Sequence, residues 1–308
     1  MDLFTIITLF FVYLAIFLFG MAVMRTGLLN LTEDRTKGFL QHFTDHPVKG
    51  MMVGAVLTAL LQSSSAVMVI TVGLVAAGYL SFYQSIGIML GSNIGTTLTT
   101  ELITLDISNY VFPFLIIGFL LLFSKRKLPF SIGSSIFGLG CLFVAMGGFE
   151  SLALPLSLFP NVQEFLLHTN DQHLIGVFIG TVITALIHSS SATVGISMSF
   201  LNNGLLSLPA GIAIMLGANI GTCITAFMAS IGGIREAKLT AYAHIWLNVF
   251  GVVAFFPLIP LLSKLVEYLA VSADVQLAHS SVIFNIVCSF VALPFVRPFS
   301  RFVERLHR

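Results

Sequence analysis

The sequence predicts an all-α polytopic membrane protein with two inverted-topology repeats, each containing a re-entrant helical hairpin and a broken helix. Composition is the first observation: 57% of the 308 residues are hydrophobic and 9% are charged, whereas soluble domains carry about 25% charged residues. The second is that apolar runs of about 20 residues, long enough to cross a membrane, recur along the chain. The third is an internal repeat, because residues 50–100 and 176–226 are roughly half identical at a constant offset of 126 positions.

The first repeat begins with an apolar run, Leu3 to Met24, which is predicted to be a retained span ended by Arg25. No basic segment precedes it and no small-residue cleavage site follows, so it does not resemble a signal peptide. The polar stretch 30–49 is predicted to be a short interfacial helix. In residues 50–77, Gln62-Ser63-Ser64-Ser65 interrupt an apolar segment. Polar groups are costly in hydrocarbon, so two half-length helices that meet at this motif, as a re-entrant hairpin, fit better than one span.

The remaining elements follow the same logic in both repeats. In the first repeat, residues 1–129, a span at 82–105 is expected to be broken or kinked at the motif 91–97. The second repeat covers residues 130–263, and residues 264–308 hold the last span and a basic cytoplasmic tail. The other predicted elements of the chain are spans at 110–123, 130–148, 237–262 and 280–296, a polar connector at 150–173, a hairpin at 176–202, and a span at 206–230 broken at 217–223.

The basic residues predict the orientation of the chain, because cytoplasmic loops of membrane proteins are enriched in Lys and Arg. Seven spans and two hairpins that do not cross place the N-terminus outside and the C-terminus in the cytoplasm, and of the 14 Lys and Arg residues only Lys264 then lies outside. Hairpin one then enters from the cytoplasm and hairpin two from outside, so the repeats are inverted and their tips approach each other near the midplane. We therefore expect a multi-pass protein of the cell membrane.

The duplicated polar motifs indicate a transporter built from internal repeats. At each hairpin tip one half-helix starts and offers N–H groups that suit an anion, while the other ends and offers carbonyl oxygens that suit a small cation. The amides of Asn93 and Asn219 lie in the neighbouring broken spans. No Lys or Arg is expected in the middle of a span, so mobile cations bound beside an anion are predicted to offset its charge and to act as coupling ions.

These motifs resemble those of the type II sodium/phosphate cotransporter family. The resemblance rests on QSSSA at 62–66 and its second copy at 188–192, on GSNIGTTLT at 91–99 and GANIGTCIT at 217–225, and on AHIWLN at 243–248. The sequence departs from the pattern at His188, where Gln is expected, and at Ser281, four residues before Asn285, where His is expected. It looks like a bacterial Na/Pi symporter without the cytoplasmic PhoU-like domain.

The resemblance implies sodium-driven phosphate transport by alternating access, with no catalytic residues. The implied phosphate-binding residues are Gln62, Ser63, Ser64, Ser65, His188, Ser189, Ser190 and Ser191. The implied sodium-binding residues are Gln62, Ser65, Asn93, Thr96, Thr97, Ser191, Asn219 and Thr222. The expected partners are inorganic phosphate, sodium ions and the lipid bilayer, without nucleic acid, other metals or an organic cofactor, and a homodimer is compatible with the sequence.

Three alternatives stay open. A serine-rich helix also permits close packing, although two copies at a fixed offset favour a binding site. His188 could make the protein a proton-coupled carrier of another oxyanion or a dicarboxylate, although desolvation favours the neutral imidazole and a role as a Gln substitute. A remote alternative is an intramembrane enzyme that acts on lipid or peptide.

Other polar residues are predicted to have structural roles. His244 is expected to pack within its span, and Glu101 to be a solvated residue at a span end. The three cysteines read as small buried side chains rather than as a disulfide or metal set. Two residue pairs in the connectors are expected to result from the duplication rather than to form a metal site: His42 with His168, and Asp45 with Asp171.

Overall fold

The computed structural model describes residues 1–42 and 46–308, with the side chains of residues 32–42 excepted. Within these ranges the regular elements are helices and no strand occurs, which confirms the all-α class. The α-helices are α1 (Leu3–His42), α2 (Pro47–Leu61), α3 (Ser64–Ala76), α4 (Phe82–Ile103), α5 (Val111–Leu122), α6 (Lys127–Ser157), α7 (Pro160–Asp171), α8 (His173–Ile187), α9 (Ser190–Asn202), α10 (Leu208–Gly221), α11 (Cys223–Ser230), α12 (Arg235–Phe255), α13 (Ile259–Leu269), α14 (Ala273–Ala292) and α15 (Val296–Leu306).

Helix length and composition identify five candidate membrane spans in the described part of the chain, or up to seven if each of two bent helix pairs is one span. The bent pairs are α4 with α5, which turn by 80°, and α7 with α8, which turn by 114°. Helices α2 and α3 are apolar but too short for this test. The spans and bent pairs confirm a polytopic membrane protein with re-entrant elements.

Both predicted hairpins are present as pairs of half-length helices. Helix α2 starts at Pro47, whose missing N–H costs nothing in the first turn, and the ring of His46 accepts a hydrogen bond from Val48 N at 3.3 Å. The chain then breaks at Gln62 and Ser63 before α3 begins. In the second repeat it breaks at His188 and Ser189 between α8 and α9.

Two expectations about the first repeat are wrong. Helix α1 does not end at Met24 but runs through Arg25 to His42, so residues 30–42 do not form a separate interfacial helix. Helix α4 is continuous through 91–97, because its glycines lie in ordinary helical conformation against α2. The predicted polar connector 150–173 is itself largely helical, since the end of α6 and all of α7 lie within it. The side chains of Arg35, Lys37, His42 and Asp45 lie outside the described residues.

In the second repeat the predicted break is present but mild. Helix α10 ends at Gly221 and α11 starts at Cys223, with Thr222 between them at φ −59° and ψ −25°. Because these angles are still helical, the two helices form one candidate span, Leu208–Ser230. Prolines account for the later interruptions: short 3₁₀ turns at Phe256–Leu258 and Leu293–Phe295 separate α12 from α13 and α14 from α15.

The two repeats pack in the same way. In each, the first arm of the hairpin lies against the following long helix, α2 on α4 and α8 on α10. A Cβ atom on Gly91 would overlap the carbonyl oxygen of Met51, and a Cβ on Gly217 would overlap that of Val177. Glycine is therefore required at both positions for the backbones to approach so closely. This packing holds the hairpin tips at equivalent places in the two repeats.

Candidate functional site

Each hairpin tip has one residue in the left-handed helical region. Gln62 has φ 49° and ψ 36°, and His188 has φ 55° and ψ 27°. Within the described ranges these are the only residues other than glycine with positive φ. A side chain in this region costs on the order of 1–3 kcal/mol, and such strain concentrates at binding and catalytic sites. The strain points to the tips as a functional site.

The serine after each strained residue caps the second half-helix. Ser63 Oγ accepts a hydrogen bond from Ala66 N at 3.1 Å, and Ser189 Oγ accepts one from Ala192 N at 3.2 Å. The first N–H groups of α3 and α9 have no partner within their own helices, and the helix dipole places partial positive charge there. The two tips therefore present two favourable positions for an anion.

The tips meet across one cavity of about 180 Å³. A water molecule needs about 10–15 Å³ of such volume, so the cavity has room for a small oxyanion together with ions or water. All eight residues predicted to bind phosphate line this cavity, and the expectation that the tips approach each other is confirmed. The lining residues are Leu18, Met21, Ala22, Arg25, Gln62, Ser63, Ser64, Ser65, Thr96, Thr99, His188, Ser189, Ser190 and Ser191.

The residue that opens each motif differs in exposure. Gln62 is 4% exposed, and its Nε2 donates a hydrogen bond to the carbonyl oxygen of Ala59 at 2.5 Å. Its Oε1 is buried and has no hydrogen-bond partner in the described part of the protein. His188 is exposed. A buried oxygen without a donor is costly, and a cation would satisfy it.

Four of the residues predicted to bind sodium line the cavity: Gln62, Ser65, Thr96 and Ser191. The other four, Asn93, Thr97, Asn219 and Thr222, do not. Asn93 Nδ2 donates to Asn248 Oδ1 at 3.3 Å, and Asn219 Nδ2 donates to the carbonyl of Met215 at 2.9 Å. Thr97 and Thr222 bond to carbonyls of the preceding helical turn. Asn93 thus connects α4 to α12, the other three side chains bond within their own helical turns, and all four lie outside the cavity lining.

Arg25 and Thr99 line the cavity but were missed from the sequence. The prediction that Arg25 ends the first span is also wrong, since Arg25 lies inside the apolar segment Leu3–Leu31 of α1, toward its C-terminal end. Its Nε is buried without a hydrogen-bond partner among the described residues. The continuation of the apolar sequence beyond Arg25, with Leu28, Leu29 and Leu31, was the available signal.

His244 and Glu101 both lie outside the cavity lining. His244 is 1% exposed, as expected for packing within a span, and its carbonyl accepts a hydrogen bond from Asn248 Nδ2 at 2.9 Å. Glu101 is not simply solvated: its Oε1 lies 2.9 Å from Nδ1 of His279 on α14, and about a third of each side chain is exposed.

The sequence matches the Na+/Pi-cotransporter family over residues 16–151 and 153–271. It is 42% identical to the uncharacterized protein YqeW of Bacillus subtilis, over 94% of each chain. It is 25% identical to the putative inorganic phosphate export protein YjbB of Escherichia coli, over 96% of this chain but about half, 54%, of that protein's length. A shorter stretch, 27% of the chain, is 34% identical to 13% of the human sodium-dependent phosphate transport protein 2B. No solved structure matches the chain.

Proposed function

Because the chain belongs to the Na+/Pi-cotransporter family, we propose that it is a secondary active transporter that moves inorganic phosphate together with sodium ions. The observation that carries this proposal is the cavity between the hairpin tips. It combines the starts of two half-helices, which suit an anion, with the unpartnered oxygen of Gln62, which suits a cation. Oppositely charged ions in one small cavity favour each other's binding, and this mutual effect is the basis of coupling.

The phosphate ion lies between the two serine trios. The hydroxyls of Ser63–Ser65 and Ser189–Ser191 donate hydrogen bonds to its oxygens, together with the first N–H groups of α3 and α9. Gln62 and His188 shape the two ends of the site through their left-handed backbone conformation. Sodium ions bind beside the phosphate, at oxygen atoms of Gln62, Ser65, Thr96 and Ser191. The adjacent helices support these ligands through four further polar residues, Asn93, Thr97, Asn219 and Thr222.

Alternating access follows from the inverted repeats. In this proposal the N-terminus is outside, the C-terminus is cytoplasmic, and residues 1–129 and 130–263 form the two repeats. Each tip closes the cavity from one side of the membrane, so rocking of one repeat against the other exposes the same site to either side. One relative is named a putative phosphate export protein and another a sodium-dependent phosphate transport protein. In this proposal the ion gradients determine the direction of net phosphate flow.

A proton-coupled carrier is the second candidate, and the exposure of His188 favours it. Histidine is a common proton carrier in proteins, and an exposed imidazole in the cavity lining has access to water. In that mechanism the protonated His188 takes the place of a sodium ion beside the oxyanion.

Uptake into proteoliposomes tests the proposal directly. Labelled phosphate should accumulate when an inward sodium gradient is imposed, and should not accumulate with a proton gradient alone. Accumulation with the proton gradient alone would show that protons, not sodium ions, are the coupling ions. Accumulation of sulfate or a dicarboxylate but not of phosphate would show that the assigned substrate is wrong. Chemical conversion of a lipid or peptide without any gradient would instead indicate an enzyme. Vesicles without protein supply the background.

A further inference from the structure

Arg25 is a fixed positive charge at the cavity. Helix α1 runs through this position without a break, and the segment that qualifies as a membrane span extends from Leu3 to Leu31. A charged side chain within a span costs free energy unless it is paired or hydrated, and such residues mark sites where substrates or ions pass. Arg25 at this position is therefore unfavourable for the stability of the protein without a ligand.

No described residue of the cavity lining carries a negative charge that could pair with Arg25. The described lining consists of Arg25, His188, neutral polar residues of the two tips and α4, and three apolar residues of α1. Nε of Arg25 is buried and has no hydrogen-bond partner among the described residues. A buried donor of a charged group without a partner costs more than a neutral one, so the arrangement favours an anion from outside the chain.

We propose that Arg25 binds the transported oxyanion directly, so that part of the anion's charge is offset by the protein rather than by sodium. The guanidinium group can donate from Nε and one Nη to two oxygens of a tetrahedral oxyanion, a geometry that Lys cannot reproduce. This inference rests on the proposed function, because it concerns the same site. It also assigns to α1, which lies outside both hairpins, a part in substrate binding.

Arg25 and sodium then act on the same negative charge. Removal of Arg25 takes away a partner of the anion and also a like charge that repels sodium. Anion binding in the variant should therefore depend more strongly on sodium than in the wild type. A defect that only loosens the fold would weaken anion binding by the same factor at every sodium concentration.

The test is titration of phosphate into purified protein at low and at high sodium concentration, with choline to keep ionic strength constant. Arg25→Gln should raise the dissociation constant at low sodium by roughly ten- to a hundred-fold, as expected for a lost hydrogen bond to a charged partner. The increase should be clearly smaller at high sodium. Arg25→Lys keeps the charge, so it should weaken binding less and should keep the sodium dependence of the wild type.

The matched control is Arg126→Gln, which removes an exposed arginine before α6 and should change neither constant. An Arg25→Gln protein with the wild-type dissociation constant, or with equal losses at both sodium concentrations, would overturn the inference. If Arg25→Gln does not fold, Arg25→Lys decides, because wild-type affinity in that variant excludes bidentate binding. If the wild type does not bind phosphate but binds sulfate through Arg25, the phosphate assignment fails and the role of Arg25 stands.

Discussion

The two hairpin tips have the same backbone but different surroundings. Gln62 and His188 have nearly the same left-handed angles, and Ser63 and Ser189 cap the second half-helices at distances within 0.1 Å of each other, 3.1 and 3.2 Å. Yet Gln62 is buried and His188 is exposed. The local sequence therefore determines the break, whereas the neighbouring helices determine which side chain can meet solvent or a ligand.

The hairpin arms are also tied differently. In the first repeat Thr58 bonds to Ser92 of α4 through their hydroxyls at 2.8 Å, so the first arm is attached to the long helix. The equivalent Thr184 instead donates to Thr193 of α9 at 2.7 Å, so the two arms of the second hairpin are tied to each other. Two differences between the repeats account for the change of partner: Ser92 corresponds to Ala218, which has no hydroxyl, and Thr193 corresponds to Val67, which has none either. The second hairpin is still tied to its long helix, because Thr181 Oγ1 donates to the carbonyl oxygen of Gly217 on α10 at 3.1 Å.

The largest expected effect concerns the orientation of the repeats. A single cysteine at Lys125, before α6, should be labelled only from the cytoplasm, and one at Glu164, on α7, only from outside. Both positions are exposed, and the native cysteines are buried or half-buried, so an impermeant maleimide applied to intact and to inverted vesicles gives a clear readout. Labelling of both positions from the same side would contradict the predicted topology, because the repeats would then not be inverted.

The next effect concerns the close contacts within each repeat. Gly91→Ala and Gly217→Ala should each destabilise the protein by up to about 3 kcal/mol, because the added methyl group overlaps a backbone oxygen. Thermal unfolding of the detergent-solubilised protein measures the loss. Gly73→Ala is the control, since a Cβ there meets nothing within 4 Å and Ala favours the helix. A loss in only one of the two variants would show that the repeats do not share this packing.

Serine substitutions compare the two tips as binding sites. Ser64→Ala and Ser190→Ala should each reduce phosphate affinity about ten- to a hundred-fold, because each removes a hydrogen bond to a charged ligand. Titration with phosphate measures the change. Ser81→Ala and Ser207→Ala are matched controls that remove the caps of α4 and α10, so they should cost about 1 kcal/mol of stability and leave affinity unchanged. Equal affinity in wild type and both tip variants would place the site elsewhere.

The different threonine bonds give a smaller effect. Thr58→Val and Thr184→Val should each lower stability by about 1 kcal/mol, the usual contribution of one hydrogen bond. Double-mutant cycles should couple Thr58 with Ser92 and Thr184 with Thr193, and should find no coupling between Thr58 and Thr184. Coupling across the repeats in this experiment would contradict the separate attachment of the two hairpins.

The smallest effect is expected at His188. His188→Gln should keep sodium-driven uptake at neutral pH, because a neutral imidazole and an amide both donate and accept hydrogen bonds. An imidazolium ion opposes a neighbouring sodium ion, whereas the amide of Gln has no charged form, so uptake by the variant should decline less with acid than wild-type uptake does, after correction for the titration of phosphate itself. Loss of uptake in the variant, with proton-driven uptake in the wild type, would favour proton coupling.

The reciprocal substitution tests whether the difference in burial between the two tips affects transport. Gln62→His should impair uptake more than His188→Gln, because Gln62 is enclosed and its amide already bonds to Ala59. Equal effects of the two substitutions would mean that the difference in burial has no consequence for transport.

The hairpins could be predicted from sequence because their cause is local. Gln62-Ser63-Ser64-Ser65 and His188-Ser189-Ser190-Ser191 interrupt apolar segments too long for one half-helix, and each serine trio supplies its own cap. The break between α10 and α11 was predicted from a different signal, the Gly-x-Asn-Ile-Gly-Thr motif that also occurs in α4. The break in α4 was predicted wrongly, because Gly91 serves close packing against α2 and not a change of backbone direction.

The membrane class, the duplication and the eight tip residues could be read from the chain alone, because hydrophobic length and a constant offset are properties of the sequence. The packing of the helices was needed to show that Arg25 lines the cavity and that Asn93 and Asn219 do not. Arginine is a good helix former and does not end a helix, so the chain alone gives no end for α1. The face of α1 that contacts the tips depends on packing between segments far apart in sequence, so local sequence patterns do not predict that face.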